Sequence, residues 1–256
     1  MTSIPTHAFD LSSRGGDVIE GLRDVHYGET CLVCGLGPSV RAVPPELPPG
    51  IKTIGVNDVF RFRPVDYLFL IDQPIAFKNP DRIATIAEST PAYWFTGTVA
   101  HASWDYEREQ RGLAPISPAV DVDSGLLPGR RITTPSLATG LALFLGFRRI
   151  GIIGIDTIGH PVLEKLIDEM NVIWSEVLSS AWLVKASVAN LSAVNAVPVL
   201  PRMHVRDFLA GAPMTHAPKR SKEHTQYIRY IEKGRLGHRA SAVWRTEAPK
   251  AKAVAK

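Results

Sequence analysis

The chain alternates between short apolar runs and polar or glycine stops. Thr30 to Cys34, Ile51 to Val56, Tyr67 to Ile71, Ala92 to Phe95 and Ile150 to Ile155 are runs of four to six residues. That is the length of a strand, and a near-continuous apolar run suits a strand covered on both faces of a parallel sheet. Between the last loop and the last of these runs lies the block Ile132 to Asp156, ITTPSLATGLALFLGFRRIGIIGID. Pro135 fits the first turn of a helix, with Thr134 before it as N-cap. Leu137, Leu141, Leu145, Ala138 and Ala142 repeat at helical spacing, and Gly146 supplies the left-handed stop. A second helix is predicted from about Val162 to Val184, where Leu163, Leu166, Ile167, Met170, Ile173, Trp174 and Val177 form a core stripe. Ala189 to Ser192 and Val197 to Leu200 read as a short strand and loop ending at Pro201-Arg202. Residues 1–28 read as a loose leader with a helix around Val18 to Val25, and Pro44 to Gly50 as a stiff surface connection. After its strand, the stretch from 91 to 131, with Trp104 and Tyr106, reads as a proline-rich loop: a lid, an acceptor wall or a plain surface excursion.

The stops share a character. The first run ends in Gly35-Leu-Gly-Pro-Ser39, the second at Asn57-Asp58, the third at Asp72-Gln73 and the Ile150 run at Asp156. Each alone is an ordinary turn former. In a parallel sheet they collect on one rim, the rim where open α/β sheets bind ligands. The expected fold is therefore α/β: a single Rossmann-like domain, its mostly parallel sheet flanked by helices. At 256 residues the chain is long enough for one large domain. The boundaries read as leader 1–28, domain 29–212 and tail 213–256.

Charge sets the tail apart. From Pro213 onward there are eleven Lys/Arg against three Asp/Glu, a net of +8, leaving 18 against 22, a net of −4, for the rest. A basic tail tracks polyanions by neutralising phosphates, or is simply a solvated terminus. At 45% hydrophobic and 21% charged, the composition is that of a soluble protein. No signal peptide or run of about 18 apolar residues is present, so no membrane span and a cytoplasmic location are expected.

Four groups of residues bear on chemistry. Cys31 and Cys34 form C-x-x-C, but inside a strand and with no second pair to complete a zinc site, so they read as buried core cysteines. Gly35 and Gly37 let a phosphate or ribose approach the backbone, or else merely make a tight turn. Position 40 is Val, so the dinucleotide fingerprint is incomplete. Asp121-Val-Asp123 has the letters of a metal-binding D-x-D but sits without a preceding apolar strand, and reads as a surface loop. His160, after Gly159, is a candidate general base, and Asp156 another, although strand-end aspartates commonly cap backbone N–H groups.

The segments GLGPSV, VND, YLFLIDQP, the block 132–156 and NLSAVNAVPVLP, in that order, resemble the bacterial sialyltransferase family typified by the Campylobacter lipooligosaccharide enzymes. They also resemble the wider DUF115 (MAF/MptE-like) proteins. The resemblance spans Cys31 to Pro201 and is most specific over the central block. It implies a GT-A-like sheet that binds a nucleotide-activated sugar without a metal or other cofactor. Gly35, Gly37, Pro38 and Ser39 would lie against the nucleotide and Asn57 would read its base or ribose. Asp72 or Gln73 would stand where the family often has Asn. Thr133 and Thr134 would meet phosphate at a helix N-terminus, and Asn190 and Ser192 would belong to the closing segment. Two departures matter: the family's loop Asn is Leu36 here, and the segment carrying the family's catalytic His is shorter, leaving His160.

Three functions follow. One is a glycosyltransferase acting on a glycan or, through the basic tail, on modified phage-type DNA. Another is an MptE-like diphosphokinase that uses ATP, with Mg²⁺ held by Asp72 and Asp156. The third is a non-catalytic nucleotide-binding module. The resemblance also favours a homo-oligomer, although the Trp and Leu stripes are accounted for by the core.

Overall fold

In the computed structural model, residues 21–89, 93–96, 98–114, 119–121, 133–156, 167–192 and 199–214 are described. Their strands are β1 (Thr30–Cys34), β2 (Ile51–Val56), β3 (Tyr67–Phe69), β4 (Tyr93–Thr96), β5 (Ala119–Asp121), β6 (Arg149–Ile153) and β7 (Ser187–Asn190). They form one sheet in the order β5-β4-β3-β2-β1-β6-β7, and each neighbouring pair is parallel. The helices are α1 (Pro80–Ala87), α2 (Thr98–Gln110), α3 (Thr134–Phe144), α4 (Ile167–Leu183) and the short α5 (Val205–Leu209). This is an α/β fold with a parallel sheet flanked by helices. No described helix is long and apolar enough to cross a membrane.

Side chains alternate across a strand, so each run supplies two layers. On one face Cys31, Val33, Ile54, Val56, Tyr67, Phe69, Ile150 and Ile152 pack beneath α3 and α4, against Leu137, Leu141, Trp174 and Val177. On the other face Leu32, Cys34 and Ile153 pack with Val40, Val43 and Phe208. Further along that face Leu68, Leu70 and Trp94 pack beneath α1 and α2, against Ile86 and Trp104. Gly151 leaves room in β6 for the Phe208 ring, which a Cβ would meet at 2.8 Å. The sheet is thus covered on both faces, which is why its strands lack polar alternation.

Helix α3 ends as its sequence predicts. Gly146 has φ +97, and the Phe147 and Gly146 N–H groups donate to the Ala142 and Leu143 carbonyls, the paired bonds of a Schellman stop. Its start differs from expectation: Thr133 is the N-cap and Thr134 the first helical residue. The Thr133 hydroxyl accepts from the Ser136 N–H, and Ser136 Oγ accepts from the Thr133 N–H at 3.1 Å. Threonine and serine reach both groups only when three positions apart, N-cap to N3, in this capping box, so the position, not the residue type, decides.

Other expectations need correction. Residues 21–28 form turns, not the end of a helix, and hydrogen-bond to the end of α3 from Asp24, His26 and Gly28. Trp104 and Tyr106 stand on α2 rather than in a loop, and Trp104 is wholly buried. Asp121 ends strand β5 rather than lying in a surface loop. Asp123, residues 1–20 and residues 215–256, which hold nearly all of the basic tail, lie outside the described residues.

Candidate functional site

The chain runs outward from β1 to β5, then returns to the far side of β1 with β6. The carboxyl ends of β1 and β6 therefore flank the topological switch point, where a crevice opens in such sheets. Both ends carry polar signals, and the structure brings them together. The Gly35 N–H donates to the Ile153 carbonyl at 2.7 Å and the Gly37 N–H to the Gly154 carbonyl at 2.8 Å. A Cβ on Gly35 would overlap the Gly154 carbonyl, and one on Gly37 would overlap the Asp156 carboxylate. The glycines thus let the β1 and β6 ends approach each other closely, the tight-turn role that their spacing allowed. Gly154 turns the β6 end with φ +75.

Asp156 closes this junction. It is 8% exposed, and its Oδ2 accepts the Ser39 N–H at 2.9 Å and the Ser39 hydroxyl at 2.7 Å. Ser39 Oγ in turn accepts the Gly154 N–H at 3.0 Å. Pro38 begins the short 3-10 turn 38–42 that carries Ser39 across to β6. The other carboxylate oxygen, Oδ1, is buried and has no hydrogen-bond partner among the described residues. One oxygen is fixed and its twin unspent, an arrangement able to accept a proton or a hydroxyl donor.

Next along the rim, Ser192 Oγ accepts the Ile155 N–H at 3.2 Å and the Ser192 N–H donates to Asn190 Oδ1 at 2.9 Å. Asn190 is 1% exposed and its Nδ2 is buried without a partner among the described residues. On the other side of β1, Asn57 ends β2 in the left-handed region with φ +53, and its Oδ1 is likewise buried and unpaired. Asparagine tolerates that conformation better than most residues. Thr96, at the end of β4, adds a fourth buried atom, its hydroxyl oxygen, without a partner among the described residues. Its position at the end of the YWFT run was the signal, and sequence reading passed over it. Buried polar atoms are normally paired, so four such atoms on one rim call for a partner from outside the described chain.

Asp72 and Gln73 are half-buried at the end of β3, where the Asp72 carbonyl accepts the Trp104 Nε1–H at 2.8 Å. The strand ends that carry Asp72 and Asp156 are three strand spacings apart, about 14 Å. That separation stands against one magnesium ion held by both carboxylates, whose oxygens must approach to about 2 Å.

The α3 N-terminus is largely self-capped. The Thr133 and Ser136 N–H groups are taken by the capping box, and Pro135 has none. Only the Thr134 N–H of the first turn is left among the described residues, which narrows an anion site there to one donor. Cys31 and Cys34 are free, buried and on opposite faces of β1, so they cannot act as a redox pair. Burial, joined by the neighbouring Cys34 and Asp66, pushes the Cys31 thiol well up, and burial pushes Cys34 up to about 12. His160 lies outside the described residues. Comparison of the chain with protein-family models, curated proteins and solved structures finds no match.

Proposed function

We propose that this chain is a glycosyltransferase that binds a nucleotide-activated sugar on the sheet rim between β2 and β7 and needs no metal. The observation that carries this reading is Asp156: a buried carboxylate at the switch point, one oxygen held by Ser39 and the other without a partner. Its neighbours on this rim fit a polar ligand: among the described residues Asn190 offers an unpaired donor and Asn57 an unpaired oxygen. The β2 and β6 ends are two strand spacings, about 10 Å, apart, a span suited to an extended ligand lying across β1.

In this reading an acceptor hydroxyl attacks the anomeric carbon while Asp156 Oδ1 takes its proton, and the nucleotide leaves with the bonding pair on its phosphate. His160, carried on the segment after Asp156, is the alternative base. The Thr134 N–H at the positive end of α3 faces the leaving charge. Positioning and charge stabilisation supply the rate. The motif order of the sequence favours a glycan acceptor, and the basic tail keeps a phosphate-rich acceptor such as modified DNA in view.

The test is a thermal-shift series with CMP, UDP, GDP, dTDP, ADP and ATP, each in EDTA and in Mg²⁺. A ligand selective for the native state raises Tm with the logarithm of its concentration. A rise with one nucleoside mono- or diphosphate in EDTA is expected and names the donor class. A rise with ATP only in Mg²⁺ would favour the diphosphokinase, and no rise at all would leave no nucleotide-dependent activity to assign.

A further inference from the structure

The connector between β2 and β3 buries an arginine that nothing in the described chain neutralises. Arg63 is 8% exposed and its Nε is buried without a hydrogen-bond partner. The carboxylates on the same connector are engaged elsewhere. Asp58 binds Arg82 at 2.9 Å and Arg61 at 3.5 Å. Asp66 binds Lys52 Nζ at 3.0 Å and takes both the N–H and the hydroxyl of Thr53 at 2.8 Å. The Cys34 thiol, which feels the Arg63 charge, offers no counter-ion either, because burial keeps it neutral. Guanidinium does not shed its proton to escape burial, so an isolated one is costly unless an anion joins it.

Arg63 also lines a cleft of about 290 Å³, walled by Val40, Val43, Arg41, Phe62 and Pro64. That volume is at the lower end of small-ligand sites. A second cation, Arg41, shares the cleft, and the Phe62 ring, 52% exposed, is a large apolar surface left in water beside it. None of the rim residues Asn57, Asp156 or Asn190 lines it.

We propose that this cleft binds a phosphate group carried on a planar ring, the chemistry of one nucleotide unit, with Arg63 and Arg41 on the anion and Phe62 against the ring. Arginine supplies forked donors matched to phosphate oxygens, and an aromatic face accepts any base. The site is separate from the proposed donor rim and stands or falls apart from it.

Calorimetric titration of the full chain, at constant low chloride in EDTA, tests this with inorganic phosphate, ribose 5-phosphate, adenosine 5′-monophosphate and adenosine. The phosphate-bearing probes should bind and adenosine should not, and the monophosphate should exceed ribose 5-phosphate by about tenfold through ring stacking. Arg63→Met should weaken all phosphate probes at least tenfold. Phe62→Ala should erase the preference for the monophosphate while leaving inorganic phosphate unchanged. Should Arg63→Met fail to fold, Arg41→Gln, on the surface, carries the same test with a smaller loss. A short single-stranded oligonucleotide that binds more tightly through these residues would mark a strand as the source of the unit. Equal or weaker binding would mark a free nucleotide. No phosphate binding, or binding that survives both Arg63→Met and Arg41→Gln, overturns the proposal.

Discussion

The two ends of the sheet treat their buried polar groups differently. Near the amino ends of the strands, His26 joins Tyr67 Oη at 2.5 Å and Glu29 Oε2 at 2.9 Å, and stacks on Phe147 at 4.6 Å. Asp66 there spends both oxygens on Lys52 and Thr53, while its own N–H donates to the Thr53 hydroxyl at 2.8 Å. At the carboxyl ends, Asn57, Thr96, Asp156 and Asn190 each keep a buried atom with no partner among the described residues. Satisfied networks rigidify a fold, whereas unsatisfied ones are a standing cost that a bound ligand can remove. In the proposed reading, one end holds the sheet together and the other receives the ligand.

The sharpest way to break this contrast is to change each end and read both stability and turnover. Asp156→Asn keeps an oxygen for Ser39 but removes the base. With the donor found by thermal shift, kcat should fall on the order of 10²- to 10⁴-fold, while Tm moves little. A variant that unfolds instead would make Asp156 a structural residue. His26→Ala should do the reverse: it deletes a buried hydrogen bond to Tyr67, a part-buried one to Glu29 and a stacked ring, costing about 2–4 kcal/mol in chemical denaturation, with nucleotide affinity in the folded protein unchanged.

Gly37→Ala probes the seam between loop and rim. Its Cβ would press on Asp156 and on the Gly154 carbonyl, costing about 1–3 kcal/mol and loosening the Ser39 clasp, so ligand affinity should fall with stability. The cysteines offer a pH test. The folded Cys34 pKa, about 12, lies above its ordinary value of 9.0, so the native state holds its proton where the unfolded state has lost it. The thiol's contribution is fully present below about pH 9 and is lost as pH rises toward about 12. Stability of a Cys34→Ala variant should decline less across that window, as read from denaturation midpoints. The smallest effect belongs to Thr133→Ala, where loss of the N-cap should cost about 1 kcal/mol.

Much of the rim was legible because it depends on the simplest regularities. Apolar runs of strand length ending in Gly-Pro-Ser, Asn57, Asp72 and Asp156 fix which end of a parallel sheet each polar group occupies, whatever the order of strands. Strand order is not local, so the clasp between Ser39 and Asp156, 117 residues apart, was not legible. Helix α2 was hidden for a different reason. Its buried stripe is Ala100, Trp104 and Arg108, and only one of these is a large apolar residue. Arg108 earns its place by donating to the Ala87 and Ala114 carbonyls, partners that no spacing announces. Helix α1 did carry a signal, Asn79 before Pro80, and the Asn79 side chain caps the Asp81 and Arg82 N–H groups. Arg63 shows the limit most plainly: in sequence it is one basic residue in a connector, and only the fold reveals that it is buried, with its Nε unpaired among the described residues.

The central claim is that the unpaired rim between β2 and β7 is where the nucleotide sugar binds. Hydrogen–deuterium exchange on the full chain, with and without the stabilising nucleotide in EDTA, tests it most directly. The account predicts slowed exchange in segments 35–39, 57–58, 154–156 and 190–192, with the amino-end network around His26 and Tyr67 unchanged. Protection that spares all four rim segments, with a nucleotide bound, would contradict it.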